Sequence, residues 1–282
     1  MLVITSCKIA NLSKEALTDI EQSEKIATQK LNEVISAQGF NVLKSKNTFE
    51  FTATDYWPGI IGNIAKIWPE KKTTIKFRHN FNTFDGTGLF LNGEKEGDLI
   101  GIQSWNYYEK SKDSEEIKKY EIEKKKKLAF GLVIYHYFLE LPYRLYKAPI
   151  KRYYGQKTKK GISYDLVFAS WLSEAPNPDY DQYIVWINTQ TKLVDYCVYT
   201  LRENKNPITR KKYGSIAYQD YRNIDGFMVP FNMPVMLDNG VIKKDTTDKF
   251  FHQITIENFT LGRFDEKELY PISKVKKQID TK

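Results

Sequence analysis

The spacing of apolar residues near the start of the chain predicts one amphipathic helix. Ser13 is suited to cap this helix, and Gly39 is suited to end it after about Gln38. Between them, apolar residues recur near helical spacing at Leu17, Ile20, Ala27, Leu31, Val34 and Ile35. We therefore expect one face of this helix to be buried.

From Thr48 onward the apolar period shortens to two, which predicts half-buried β-strands. Ile75, Phe77, His79 and Phe81 alternate with Lys76, Arg78, Asn80 and Asn82. Asp-Gly and Asn-Gly pairs, which tolerate the positive φ of tight turns, lie at 85–86, 92–93, 225–226 and 239–240. Later strands are predicted from about Arg152 and over 163–171, 182–187, 193–201, 215–221, 227–231 and 249–261. The pattern indicates a mostly antiparallel sheet.

A second helix interrupts the strands. Asp113 with Glu116 resembles a capping box, residues 128–139 are apolar nearly all round, and Pro142 is expected to end the helix. About eleven strands and two helices predict an α+β, mainly β fold. Its economical form is a single large curved antiparallel sheet that makes an unclosed β-barrel, with an N-terminal helix and a mid-chain helical lid. We expect one domain over residues 13–272 and a loose polar tail over 273–282.

Composition narrows the classes of function. The 282 residues carry a net charge of +8, but the densest basic run, Lys124 to Lys127, follows Glu115, Glu116, Glu121 and Glu123. Charges of opposite sign at this spacing are typical of a solvated helix face, and no nucleic-acid motif is visible, so we expect no nucleic-acid partner. No apolar run approaches the roughly 20 residues needed to span a bilayer. Any membrane attachment should therefore be by lipid.

Cys7 suggests such an attachment. It closes the run Leu2-Val3-Ile4-Thr5-Ser6-Cys7, an apolar stretch followed by two small residues. The run resembles the lipobox of bacterial lipoproteins, which implies that residues 1–6 are the remnant of a signal peptide and that Cys7 carries a diacylglycerol. The alternative is a frayed strand with an incidental thiol. The second cysteine, Cys197, lies in an apolar strand and is expected to be a buried small hydrophobe.

The segment from Tyr153 to Pro230 carries a resemblance to a known family. It contains Tyr154-Gly155, residues 161–167, residues 183–188, residues 191–194, Tyr218-Gln219-Asp220-Tyr221 and Asp225-Gly226 through Pro230. With the order of helices and strands, this resembles the LolA and LolB type of lipoprotein carrier. Tyr137-Phe138-Leu139-Glu140-Leu141-Pro142 brings the chain closer still to uncharacterised LolA-like outer-membrane lipoproteins. The resemblance implies an unclosed barrel whose helical lid covers an apolar cavity for acyl chains.

Candidate cavity walls are mostly aromatic. An open barrel encloses more volume than its wall side chains fill, which favours an apolar ligand. The alternative is that the same residues pack against one another as an ordinary core. The candidates are Phe49, Phe51, Ile75, Phe77, Trp105, Leu132, Tyr135, Phe138, Leu166, Phe168, Trp186, Tyr199 and Ile254.

A short apolar segment bounded by Pro58 and Pro69 is predicted to be a membrane or partner loop. Its apolar residues near helical spacing are Trp57, Ile60, Ile61, Ile64, Ile67 and Trp68. The segment either projects, as the apolar loop of LolB-type acceptors does, or folds back onto the barrel rim.

The predicted lipidated tether, residues 7–12, has a reach of roughly 20 Å at most. A body held so close to its membrane suits an anchored acceptor better than a soluble shuttle. Lys8 follows the cysteine directly, without the aspartate typical of inner-membrane retention. We therefore expect a lipoprotein on the periplasmic face of the outer membrane.

Enzymatic motifs are missing from the sequence. His79, His136 and His252 are scattered, and residues 177–181 have the oxygen spacing of a calcium loop without its glycine and glutamate. We expect no metal, no cofactor and no catalysis.

Arg78 and Arg144 are candidates for binding a ligand headgroup, although surface positions are more usual. Two alternative functions are left by the sequence. One is a non-catalytic scaffold of an envelope complex, and the other is a carbohydrate-active lipoprotein that uses two of the carboxylates Glu50, Asp55, Asp165 and Asp195.

Overall fold

The computed structural model describes residues 9–13, 19–81, 83–202, 209–238 and 250–272. Cys7, the predicted signal remnant 1–6, the Asn239-Gly240 pair and the predicted tail 273–282 lie outside the described residues. The chain forms two compact units. The first unit comprises residues 1–37, 142–218 and 235–250, and the second comprises 38–141, 219–234 and 251–282.

Four α-helices are described: α1 Ile20–Gln38, α2 Phe40–Lys46, α3 Gly59–Ala65 and α4 Lys126–Tyr146. The end of α1 is the predicted one, because Gly39 follows Gln38 with a left-handed φ of 82°. The predicted α4 needs correction at both ends. The helix begins at Lys126 rather than near Asp113, and it continues through Pro142 to Tyr146. None of the described helices has the length and apolar character needed to cross a bilayer.

The strands follow in chain order. The second unit holds β1 Thr48–Tyr56, β2 Lys72–Asn80, β3 Gly86–Phe90, β4 Leu99–Gln103, β5 Asn106–Lys110, β6 Ile117–Tyr120, β12 Gln219–Ile224 and β14 His252–Leu261. The first unit holds β7 Ile150–Lys159, β8 Ile162–Ser170, β9 Gln182–Asn188, β10 Val194–Thr200 and β11 Tyr213–Ala217. The remaining strand, β13 Phe227–Asp238, contributes residues to both units.

The strands pair in one antiparallel sheet that is not closed. Its order is β6-β5-β4-β3-β2-β1-β14-β13-β11-β10-β9-β8-β7, and β12 pairs with β13 beside this path. The predicted fold class is confirmed, with fourteen strands among the described residues in place of about eleven. One added strand is β6, which lies in the charged stretch predicted as the start of α4. Its residues pair with β5, from Tyr107 opposite Tyr120 to Lys110 opposite Ile117.

In the second unit, alternation along β1 and β2 separates a buried face from a more exposed one. Phe49 and Phe51 lie opposite His79 and Phe77 and are buried, whereas the intervening Glu50 lies on the other face. In the first unit, α1 covers one face of the sheet, where Asp165 of β8 pairs with Lys30. The opposite face of that sheet carries a separate apolar cluster around Phe168.

Candidate functional site

The buried face of the second unit is an aromatic interior. Neighbouring rings on β1, β2 and β14 stack closely: the centroids of Phe51 and Phe77 are 5.0 Å apart and those of Phe51 and Phe259 are 5.8 Å apart. Each of these three side chains is at most 6% exposed. Ring pairs at such distances stabilise a core beyond the effect of burial alone. We use the name aromatic interior for Phe49, Phe51, Phe77, His79, Tyr135, His136 and Phe259.

Helix α4 closes over this interior. Tyr135 stacks on Phe77 at 4.9 Å, and the His136 ring lies 4.5 Å from that of His79. Two glycines permit the close approach. A Cβ at Gly88 of β3 would lie 3.2 Å from the Leu132 side chain, and a Cβ at Gly131 would lie 2.4 Å from the Trp68 ring. The distance between α4 and the sheet in this structure is thus set by ring packing and by Gly88 and Gly131, which have no side chain.

A buried polar pair lies on the same helix. His136 Nε2 and Glu140 Oε1 are 2.6 Å apart, one helical turn from each other, and both side chains are at most 1% exposed. The His136 ring also contacts Phe49 and Phe84 edge-on. Polar groups enclosed in this way are stabilised by their hydrogen bonds, because burial without a partner is costly.

Most of the thirteen predicted cavity residues lie in closely packed surroundings. Eleven are buried: Phe49, Phe51, Ile75, Phe77, Leu132, Tyr135, Phe138 and Ile254 in the second unit, and Leu166, Phe168 and Trp186 in the first. Tyr199 is half-buried. A cleft along α1 and another beside β4 to β6 are not lined by these residues. In the second unit, Phe77 stacks on both Phe51 and Tyr135, so the aromatic interior is packed by its own side chains.

Trp105 differs from the expectation that it lies on a strand wall. It occupies the two-residue turn between β4 and β5 and is 45% exposed. Ser104 and Trp105 both have positive φ, at 48° and 61°. Two successive positive φ values define a type I′ hairpin turn, which usually carries Asn or Gly. The side chain contacts the Phe84 ring at 5.3 Å.

The predicted apolar loop forms α3 and its flanks, which we call the isoleucine arm, residues 57–68. Ile60, Ile61 and Ile64 are 81%, 71% and 72% exposed, and their spacing places them along one side of the helix. Ile67 is half-buried, whereas the terminal residues Trp57 and Trp68 are buried. The arm therefore combines both alternatives raised by the sequence: its tip projects, and its two ends are anchored.

A hydrogen-bond network around Asp55 holds both ends of the arm. Asp55 Oδ2 accepts from Trp57 Nε1 at 2.7 Å, and Oδ1 lies 2.8 Å from His252 Nδ1. The Tyr135 hydroxyl bonds to Asp55 and accepts from Trp68 Nε1 at 3.1 Å. Burial, together with the charge of Asp55, raises the pKa of Tyr135, so the phenol stays protonated. We call these five residues the Asp55 network.

The Asp55 network ties the isoleucine arm to the lid, because Tyr135 belongs to α4. The Trp57 ring also lies flat on the His252 ring, with centroids 4.0 Å apart. Sequence reasoning missed this group, since Asp55 and His252 are 197 positions apart. The available signal was a carboxylate on the buried side of a strand beside a tryptophan, and that local pattern does not identify the distant partners.

The strand carboxylates considered for carbohydrate chemistry do not converge within either unit. Glu50 and Asp55 lie on opposite faces of β1. In the first unit, Asp165 faces α1, whereas Asp195 bonds to Asn188 and Tyr164 on the other face. Burial raises the pKa of Asp195, and the two hydrogen bonds oppose the shift. These pairs therefore provide no shared groove within a unit.

Other predicted polar residues have structural partners. Arg78 is one-third exposed and pairs with Glu50 at 2.5 Å and Glu268 at 2.6 Å. Arg144 is buried, which corrects the expectation of a surface position, and it is buried because α4 continues past Pro142. Asn177 Oδ1 accepts from the backbone N–H of Asp179 and Tyr180, as in a polar hairpin tip.

The thiol of Cys197 is buried, as predicted, and burial raises its pKa above the ordinary range. Within the described ranges, no three His, Cys, Asp or Glu side chains are grouped as a metal ion would require.

Comparison with known proteins places the fold. No protein-family model matches the chain, and no curated protein matches it either. A LolA superfamily protein from Nitrosomonas europaea superimposes with a TM-score of 0.51 at 8% identity, covering 90% of this chain and 99% of its own. A putative outer membrane lipoprotein-sorting protein domain from Vibrio parahaemolyticus gives 0.50 at 7% identity, with 89% and 97% covered.

A DUF1329 family protein from Desulfovibrio piger also gives a TM-score of 0.50, at 9% identity, with 88% and 98% covered. The chain has a LolA-like fold, as the sequence resemblance implies. Likeness at such low identity concerns the fold alone, so function has to be argued from the site.

Proposed function

We propose that the chain is a lipid-anchored binding protein of the bacterial envelope that accommodates acyl chains of a lipoprotein or another amphiphile. The observation that carries the proposal is the isoleucine arm, whose three isoleucines are 71% to 81% exposed in a described helix. Exposed apolar patches of this kind mark contacts with proteins or membranes. An arm fixed at both ends presents its apolar tip without having to fold first.

The acyl chain would lie in the aromatic interior after α4 moves away. Each buried methylene contributes about 0.8 kcal/mol, so an acyl chain offsets the apolar contacts that α4 gives up. The Asp55 network supports this path, because it joins the arm to Tyr135 of α4. Insertion of the isoleucines into a bilayer or an acylated partner would act on the same network that fastens the lid.

We further propose that acylation of Cys7 holds the protein on the periplasmic face of the outer membrane. Two or three acyl chains make an effectively permanent anchor. A protein held this close to a bilayer receives or presents ligands rather than carrying them between membranes. Its role would then be that of an acceptor or presenter.

The test is native mass spectrometry of the Cys7→Ser chain purified from cells. We expect co-purifying lipid, and we expect Ile60→Ser/Ile61→Ser/Ile64→Ser to reduce the bound fraction by at least about tenfold, since each isoleucine loses about 1.5 to 3 kcal/mol of apolar contact. The control changes three other exposed apolar residues, Ile20, Leu91 and Ile162, to serine. A chain that is free of lipid in every preparation would overturn the proposal.

A second candidate function is an envelope scaffold that uses the arm to bind a protein. The filled aromatic interior favours it, because ordinary core packing needs no ligand. This candidate predicts a stoichiometric protein partner that is lost with the triple isoleucine variant, together with a chain that carries no lipid.

A further inference from the structure

Residues 10–12 are fastened to the first unit, and we call them the N-terminal strap. The backbone N–H of Ala10 donates to the Arg210 carbonyl at 2.9 Å, and the Arg202 guanidinium donates to the Ala10 carbonyl. Asn11 exchanges two hydrogen bonds with the Tyr213 hydroxyl, at 3.1 and 3.0 Å. The Leu12 N–H donates to Gln182 Oε1 at 2.7 Å. Every strap residue is thus bonded to the sheet or its loops.

The side chain of Leu12 adds apolar packing to these bonds. It is 7% exposed and joins the cluster on the face of the sheet opposite α1. Arg202, which donates to the strap, has a hydrogen-bonded backbone of its own. Asp181 accepts from the Arg202 backbone N–H and from the Thr200 hydroxyl. The strap is therefore part of the folded unit rather than a free linker.

This fastening shortens the tether. Three Cα–Cα steps separate Cys7 from Ala10, and each step spans about 3.8 Å, so the reach is about 11 Å. The sequence alone suggested roughly 20 Å, because it treated residues up to Leu12 as extended chain. An acyl anchor on Cys7 would hold the strap end of the first unit within about one headgroup layer of the bilayer.

The surface beside the strap is basic with apolar contributions. The 3-10 helix Thr209–Lys211 and the following residue supply Arg210, Lys211 and Lys212. Lys211 and Lys212 are exposed, and the Arg210 side chain donates to the Pro178 carbonyl at 3.2 Å. That bond joins the strap region to the loop between β8 and β9.

The same loop presents two apolar side chains, Leu172 and Tyr180, which are 58% and 37% exposed. Its exposed acid is Asp179. Basic groups together with tyrosine and leucine are typical of surfaces that lie at the level of lipid headgroups.

We infer that this surface, formed by Arg210, Lys211, Lys212, Leu172 and Tyr180, rests on the anionic phospholipid headgroups of the membrane that holds the protein. The inference rests on the proposed function in one respect, since the anchor on Cys7 decides which membrane the surface meets. The affinity of the surface for anionic lipid does not depend on the anchor. It assigns the first unit a fixed face toward the bilayer, set by the strap. Two other acids of the loop have structural partners: Glu174 pairs with Arg152, and Asp181 accepts from Thr200 and the Arg202 backbone.

The experiment measures co-sedimentation of the full chain carrying Cys7→Ser with vesicles of phosphatidylglycerol and phosphatidylcholine, and with vesicles of phosphatidylcholine alone. Insertion of the isoleucine arm can occur with both vesicle types, whereas electrostatic attraction requires the anionic lipid. The difference in binding between the two vesicle types therefore measures the electrostatic contribution. We expect binding to the anionic vesicles to weaken with salt. Lys211→Glu/Lys212→Glu should lower the anionic partition coefficient by at least about tenfold, because each basic residue near such a surface contributes about a fivefold factor.

The matched control is Lys118→Glu/Lys119→Glu, two exposed lysines of β6 with the same change in net charge. If the anionic partition coefficient falls equally in both variants, the effect is one of net charge and the inference is overturned. Equal binding of the parent Cys7→Ser chain and both variants would overturn it as well. Failure of the anchor is a separate result. If the unaltered chain stays in the soluble fraction of cells, Cys7 is not acylated, but the vesicle measurement is unaffected.

Discussion

Helix α1 lies on the sheet of the first unit, and residues 126–141 of α4 lie on the sheet of the second, but the two helices are fastened differently. Lys30 of α1 pairs with Asp165 at 3.0 Å, and Ser23 exchanges two hydrogen bonds with the Tyr153 backbone. Arg152 bridges Glu24 of α1 and Glu174. These bonds are directional and recur along the helix, so α1 has one position and one register on its sheet.

Between Leu132 and His136, helix α4 instead meets its sheet through rings and an aliphatic side chain. Tyr135 stacks on Phe77, His136 lies on His79, and Leu132 covers Gly88. Two of its directional contacts reach the isoleucine arm: the Tyr135 hydroxyl accepts from Trp68 Nε1, and Lys127 Nζ donates to the Lys66 carbonyl at 3.4 Å. The burial of apolar surface is not directional, so an acyl chain can replace that part of these contacts, whereas the additional stabilisation from ring pairing is lost.

The difference indicates which helix can move. Displacing α1 would take Lys30 from Asp165 and Ser23 from the Tyr153 backbone, and a buried polar group that loses its partner costs about 1 to 3 kcal/mol. Displacing the stretch of α4 around Leu132 and Tyr135 in favour of an acyl chain exchanges one set of apolar contacts for another. From these contacts we predict that α1 stays in place and that α4 is the helix displaced when an acyl chain enters.

The largest expected effect comes from removing Asp55, the shared acceptor of the Asp55 network in the second unit. Asp55→Ala leaves the donors of Trp57, His252 and Tyr135 without their acceptor. We expect the free energy of unfolding in urea to fall by about 3 kcal/mol. Tryptophan fluorescence should shift as Trp57 and Trp68 become exposed.

Glu50→Ala is the control, since Glu50 lies on the same strand and faces the other way. Its ion pairs with Lys76 and Arg78 are partly exposed, so its loss should cost about 1 kcal/mol or less. Equal losses for the two variants would contradict the structural role of the Asp55 network.

A smaller effect is expected from loosening α1. Asp165 is 1% exposed and accepts from Lys30, from the Tyr153 hydroxyl at 2.8 Å and from Gln156 at 3.0 Å. Burial alone would raise its pKa, but these hydrogen bonds outweigh it and hold the pKa below the ordinary value. We expect Asp165→Asn to lower the free energy of unfolding by about 2 kcal/mol at neutral pH.

The pH dependence of this difference has a defined direction. Because the folded pKa of Asp165 is lowered, its stabilisation is present above the ordinary carboxyl pKa of about 3.9 and is lost as pH falls through the folded value. The pKa of Lys30 is raised: burial opposes the shift, and Asp165 drives it. Its contribution is therefore complete below the ordinary lysine pKa of about 10.4 and is lost only as pH rises further. A difference between wild type and Asp165→Asn that persists unchanged far below about pH 3.9 would refute this account.

Local alternation was sufficient to predict the strand faces. The buried positions of Phe49, Phe51, Ile75 and Phe77 follow from a period of two, which depends only on neighbouring residues. The position of Trp105 could not be predicted in the same way, because its turn places non-glycine residues at positive φ. Strand β6 was missed because a short charged segment becomes a strand only through pairing with β5.

The candidate site was predictable in part. The apolar character of the isoleucine arm was visible in the sequence, and so was an apolar interior under a mid-chain helix. Whether that interior is filled depends on the distance between α4 and the sheet, which Gly88 and Gly131 set through contacts remote in sequence. The Asp55 network joins three separate stretches of chain, and no periodicity encodes such a group.

The smallest expected effect on stability concerns the directional link between the arm and the lid. Tyr135→Phe keeps the ring that stacks on Phe77 and removes the hydroxyl that bonds to Asp55 and Trp68. The free energy of unfolding should fall by about 1 kcal/mol. The rate of uptake of a fluorescent fatty acid by the Cys7→Ser chain should nevertheless rise, since α4 then opens at lower cost.

The control for this variant is Tyr146→Phe, at the last residue of the same helix, where the side chain is half-buried. If α4 is a lid held by replaceable contacts, uptake should accelerate in the Tyr135 variant alone, by about fivefold for a loss of about 1 kcal/mol in the closed state. Slower uptake, or an equal change in both variants, would show that the hydroxyl does not restrain the lid. A helix fastened like α1 would show loss of stability without any gain in uptake, so this measurement separates the two kinds of fastening directly.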